Sequence, residues 1–151
     1  MDAKDPKLRA IWLQKHVPVI YRRPNPSPLL IRLPYSEDNF GWLRADRRHK
    51  PQWDARYRCW QTPIAWFDDL IRTSLRRFQR VYVIQVYREQ QACAPACWEA
   101  KGFHCECSCM GTNHGSGHPG EHWHEVSNTF AFQWGPRKYS CRLLRALPHQ
   151  A

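Results

Sequence analysis

Long apolar runs are missing from this 151-residue chain, and none approaches the roughly 18 residues that a membrane-crossing helix needs. A helical span is therefore not expected. Met1 to Leu13 is charged and lacks the apolar centre of an export signal, so a reducing, cytoplasmic setting is expected, nucleoid association included. The phosphate-cradling pattern G-x-x-x-x-G-K-[ST] does not occur, so no motor activity is expected. Acidic residues are few: 13 Asp and Glu face 23 Lys and Arg, a formal net charge of +10 that points to a polyanionic partner. Core formers are not scarce, since 42% of residues are hydrophobic, which argues against disorder and for a folded protein.

The positive charge is unevenly spread. Residues 1 to 80 hold 17 basic and 8 acidic side chains, whereas residues 81 to 151 hold 6 and 5. The polyanion contact is thus expected in the first half, and most of all between Arg44 and Trp60. There Arg44, Arg47, Arg48, Lys50, Arg56 and Arg58 interleave with Trp53, Tyr57 and Trp60. Cations neutralise phosphates and exposed rings stack on bases, a pairing suited to single-stranded nucleic acid. Trp53 and Trp60 read equally well as core anchors of a sheet.

The remaining elements follow from local pattern. Met1 to His16 reads as an arm or a short helix. Val17 to Tyr21 is β-rich, and Pro18, which cannot donate to a ladder, marks it as an edge strand. Three prolines between Arg23 and Pro28 make a turn, and Leu29 to Tyr35 is a second strand. Ser36 to Asn39 can cap a short helix holding Phe40, Trp42 and Leu43. Gln52-Trp53 and Cys59-Trp60 read as the arms of a hairpin. Thr62 and Pro63 open the clearest helix, with Phe67, Leu70, Ile71, Leu75 and Phe78 on its buried stripe and Asp68, Asp69, Arg72, Arg76 and Arg77 matched to its dipole. Arg80 to Arg88 is a strand dense enough in valine, isoleucine and tyrosine to be central. Val126 to Trp134 and Tyr139 to Leu144 form a closing hairpin. Cys59 and Cys141, isolated in strand-like surroundings, read as small buried hydrophobes.

Between these strands, five of the seven cysteines and five of the eight histidines crowd into Cys93 to His124. Such a glycine-rich stretch cannot form an apolar core, and a metal is the simplest way to hold it. Cys93, Cys97, Cys105, Cys107, Cys109 and His114 are the candidate ligands, more than the four places of a structural zinc site. An iron–sulfur cluster is the alternative metal group, and a disulfide framework the alternative without metal.

The expected architecture is α+β, a small antiparallel sheet packed on one main amphipathic helix with a metal-stapled Cys/His-rich insertion between strands. Its parts are an arm and edge strand (1–28), a basic nucleic-acid-binding unit (29–90), the metal module (91–125) and a hairpin completing the sheet (126–151).

Arg32-Leu33-Pro34-Tyr35 before a short helix, then Pro51-Gln52-Trp53-Asp54, Cys59-Trp60 and an amphipathic helix, together resemble the HARP-type domain of annealing helicases over residues 29–80. The resemblance implies a Pur-like α+β fold that binds nucleic acid at junctions of single and double strands. The C-x-P-x-C-W and C-x-C-S-C-x-G-x-N-H-G motifs resemble a run in uncharacterised prokaryotic proteins, which implies no activity. The expected function is non-enzymatic binding of single-stranded or junction DNA or RNA, with a structural zinc. The alternatives are a small subunit or inhibitor acting by protein contact within a nucleoprotein complex, and a metal-dependent nuclease using Asn113, His114, His118, His122 or His124.

Overall fold

The computed structural model describes residues 6–24, 27–86, 124–134 and 137–146, with 124–134 described through its backbone pairing. Among them, helix α1 (Pro6–Leu13) precedes β1 (Val19–Tyr21) and β2 (Leu29–Arg32). Helix α2 (Asn39–Arg44), the hairpin β3 (Gln52–Asp54) and β4 (Cys59–Thr62), and helix α3 (Phe67–Phe78) follow. Strands β5 (Arg80–Val86), β6 (His124–Trp134) and β7 (Arg137–Ala146) complete one seven-stranded sheet in the order β3-β4-β2-β1-β5-β7-β6. No helix among the described residues is long and apolar enough to cross a membrane.

The fold is α+β as expected, but the sheet is mixed. Helix α3 carries the chain back across the sheet, so β5 enters alongside β1 in the same direction, with Ile20 opposite Val83; the other pairings are antiparallel. Pro18 does not confine β1 to an edge, because β1 is the central strand. The strand proper begins at Val19, so no ladder bond is asked of the proline nitrogen, and the Pro18 carbonyl accepts the Tyr82 N–H at 2.9 Å.

Alternation along the strands sorts side chains onto two faces. On one, Ile20, Leu29, Ile31, Val81, Val83 and Leu144 pack against Leu43 of α2 and the stripe Phe67, Leu70, Ile71 and Leu75 of α3. On the other, Leu8 and Trp12 of α1 cover Val19, Tyr21, Leu30, Cys59, Ile84, Tyr139 and Cys141. The expected single main helix is therefore joined by a second across the sheet. Cys59 and Cys141 are fully buried there. Leu70, Ile71 and Leu75 have no exposed surface, and each contributes about 1.5–3 kcal/mol by leaving water.

Helix α3 starts later than Thr62-Pro63 suggests. Thr62 closes β4, Pro63 leads a 3₁₀ turn (Ile64–Trp66), and the α-helix begins at Phe67 with Asp68 and Asp69 in its first turn. It ends at Gln79, left-handed at φ 69°, whose N–H returns to the Leu75 carbonyl at 3.0 Å. The residues named as metal ligands, Cys93, Cys97, Cys105, Cys107, Cys109 and His114, lie outside the described residues, in the stretch linking β5 to β6.

Candidate functional site

The β3–β4 hairpin positions the two tryptophans. Trp53 and Trp60 face each other in register, their rings edge-on at 5.0 Å, and Phe40 of α2 meets Trp60 at 5.6 Å. Trp60 is half-buried against the helix-side core, whereas Trp53 is 55% exposed. The hairpin loop is closed by Asp54. One carboxylate oxygen accepts the N–H groups of Tyr57 (3.1 Å) and Arg56 (3.0 Å), and the other accepts Gln61 Nε2 (3.0 Å). The Tyr57 N–H first and Gln61 next hold the Asp54 carboxyl below its ordinary range. The loop delivers Arg58 at φ 53°, a left-handed conformation unfavourable for any residue with a Cβ.

These rings border a cavity of about 640 Å³ at the sheet end where β2 leaves and β1 and β4 enter. Trp53, Trp60, Phe40 and Tyr35 supply its aromatic walls, and Lys15, Arg32 and Arg58 its cations. Tyr35 is 90% exposed. Two local devices hold the walls. Gln14 Oε1 accepts the N–H groups of His16 and Val17, each at 2.9 Å, which turns the chain out of α1. Asn39 Nδ2 donates to the Pro34 carbonyl at 2.9 Å, closing the loop that carries Tyr35. The same Asn39 lines the cavity, is buried, and its Oδ1 has no hydrogen-bond partner among the described residues. An acceptor in that state costs about 1–3 kcal/mol.

Arg32 projects from β2 onto the α1 side, where its Nη1 donates to the Trp12 carbonyl and to the Gln14 carbonyl at 3.3 Å. Burial first, and then the Arg58 charge, lower its pKa from the ordinary value, so two guanidinium groups stand close enough to repel. Both border the aromatic cavity and also a second one of about 230 Å³ on the α1 side, lined further by Arg9, Arg56 and Tyr57. Arg56 stacks on the Tyr57 ring at 5.1 Å.

The nine residues that sequence reasoning grouped as a nucleic-acid surface are therefore divided. Trp53, Arg58 and Trp60 share the aromatic cavity, and Arg56, Tyr57 and Arg58 share the smaller one. Arg48 and Lys50 line a third, of about 560 Å³, at the opposite end of the hairpin beside Pro28 and Thr62. Arg47 is engaged internally: it pairs with Asp69, donates to the Leu43 carbonyl, and lies over the Trp66 ring at 4.6 Å. Arg44 is half-buried, with Nε 3.4 Å from the Arg47 carbonyl. Arg77 is likewise engaged, with Asp38 at 2.9 Å and the Trp42 ring at 4.9 Å.

Tyr35, Phe40, Lys15, Arg9 and Arg32 were not singled out from sequence as site residues. Of these, Arg32 and Tyr35 stand in the Arg32-Leu33-Pro34-Tyr35 motif, which assigns neither a binding role. No three His, Cys, Asp or Glu side chains converge among the described residues in a way that could hold a metal. No family model matches the chain, and no curated protein or solved structure matches it either.

Proposed function

We propose that this protein binds nucleic acid with single-stranded character at the sheet end, without acting on it chemically. One observation carries the reading. Exposed rings of Tyr35, Phe40 and Trp53 and the cations of Lys15, Arg32 and Arg58 converge on one cavity large enough for an unpaired nucleotide. A base stacks on Trp53 or Tyr35, and its amino group donates to the exposed Glu37 carboxylate, which lines the same cavity. The sugar–phosphate chain follows the Arg32–Arg58 ridge. Duplex bases are already stacked and present no free face to such rings, which favours unpaired over paired strands. Arg44, Arg47 and Arg77 belong to the scaffold in this reading, and Arg48 and Lys50 extend the contact along the hairpin.

A structural zinc held by four of Cys93, Cys97, Cys105, Cys107, Cys109 and His114 belongs to the same proposal, because thiolates and imidazole are the donors that zinc prefers. Elemental analysis beside an absorbance spectrum tests it: one zinc per chain and no visible absorption is the expected result, and a brown protein would replace zinc by an iron–sulfur cluster.

The binding test is the anisotropy of a labelled single strand titrated at several salt concentrations. With three to five phosphates neutralised, log K is expected to fall against log[salt] with a slope of about −2 to −3.5. Binding that ignores salt, or a preference for blunt duplex over single strand, would overturn the proposal.

A further inference from the structure

The smaller cavity differs from the aromatic one in its lining, which is dominated by guanidinium groups and suits an anion better than a base. Its volume of about 230 Å³ lies below the roughly 300–1,000 Å³ usual for organic ligands. Four of its lining residues are arginines, Arg9, Arg32, Arg56 and Arg58, and among the described residues no carboxylate lines it. Arg32 gives Nη1 to the Trp12 carbonyl of α1 and to the Gln14 carbonyl just beyond it, yet a guanidinium has five N–H donors, so that engagement does not exhaust it. Arg58 reaches the site only from a left-handed backbone that a glycine would hold with less strain, and strain retained at one residue of a charged pocket points to a use for its side chain.

An internal phosphodiester has one negative charge and two free oxygens. A terminal phosphomonoester has a charge near −1.5 to −2 and three strong acceptor oxygens, which matches several converging guanidinium groups better. From this we infer that the arginine cavity is a binding site for the terminal phosphate of a nucleic-acid strand, whose end nucleotide stacks in the adjoining aromatic cavity. Arg32 and Arg58, which border both cavities, would bridge the phosphate and the base it belongs to. The inference rests on the proposed nucleic-acid binding, and makes the protein a reader of phosphorylated ends.

The test compares full-length protein binding one labelled single strand in three forms: 5′-phosphate, 3′-phosphate and hydroxyl at both ends. One phosphorylated form is expected to bind at least about tenfold tighter than the hydroxyl form, and that arm identifies the end recognised. Arg9→Gln and Arg56→Gln, at exposed residues that line the arginine cavity and not the aromatic one, are expected to remove this gain while changing hydroxyl-strand affinity by less than about twofold. Arg58→Gly should fold at least as well as the wild type and lose the gain. Equal affinity for all three forms, equal gains at both ends, or a gain that survives Arg9→Gln and Arg56→Gln would each overturn the inference and leave nucleic-acid binding standing. Failure of every form to bind would overturn both.

Discussion

Replacing Trp53 by alanine separates a stacking platform from a core anchor. The ring is 55% exposed, and its main aromatic neighbour is Trp60, edge-on at 5.0 Å and 70°. Such a pair contributes about 0.5–1.5 kcal/mol beyond buried area, and the covered part of the ring adds to it, so the fold should lose at least about 1 kcal/mol and melt several degrees lower. If a base stacks on the exposed ring, affinity should fall by about 1–3 kcal/mol, or roughly 5- to 150-fold. The indole is uncharged, so the dependence of log K on log[salt] should keep its slope. Trp53→Phe should retain most of the affinity, because it keeps a π face. Arg58→Ala should instead lower the magnitude of the slope by roughly 0.7. Anisotropy titrations at matched salt, with a thermal melt of each variant, give all three numbers. The reasoning would be refuted if Trp53→Ala bound like the wild type, or if its loss of affinity came with a shallower salt slope.

Other outcomes follow from the same geometry. Arg47→Ala should destabilise the fold by about 1–2 kcal/mol, through loss of the Asp69 pair and the Trp66 stack, while shifting affinity less than twofold; denaturant unfolding and anisotropy check the two halves. Gly41 lies mid-helix in α2 with nothing within 4 Å of where a Cβ would sit, so Gly41→Ala should stabilise by about 0.5–1 kcal/mol, visible as a higher denaturant midpoint. Burial, and to a lesser extent the Asp54 charge, push the Cys59 thiol up from 9.0 to about 12. Peptide mapping after iodoacetamide treatment at pH 8 should find Cys59 alkylated only when the protein is unfolded. Because this folded-state pKa is raised, the associated stability is full below pH 9 and is lost as pH rises toward 12. Asp54 is the opposite case: its lowered pKa gives the hairpin loop support that is complete above the ordinary carboxylate range and is lost in acid, which a pH series of loop proton exchange below pH 4 would detect.

Elements specified by near neighbours were legible in the chain itself. The stripe Phe67, Leu70, Ile71 and Leu75 announces α3 because residues three and four apart share a helix face. Trp53 and Trp60 fall on facing arms because an Asp-led turn between short β-rich runs can close only as a hairpin. The basic, ring-bearing character of Arg44 to Trp60 was equally plain. Which of those cations face solvent was not, since Arg47 is engaged by Asp69, 22 residues away, and Arg77 by Asp38, 39 residues away.

Strand order was hidden for the same reason. Nothing local to Val19-Ile20-Tyr21 says that β5, about sixty residues later, will lie parallel beside it and make it central. Nor does local pattern place Lys15, Arg32, Tyr35 and Phe40, from a helix end, a strand, a loop and a second helix, around the hairpin's tryptophans. Periodicity records which side of its own element a residue occupies. Packing of elements distant in the chain decides what that side meets, and here it turned a stretch of charge and rings into two adjoining cavities of different chemistry.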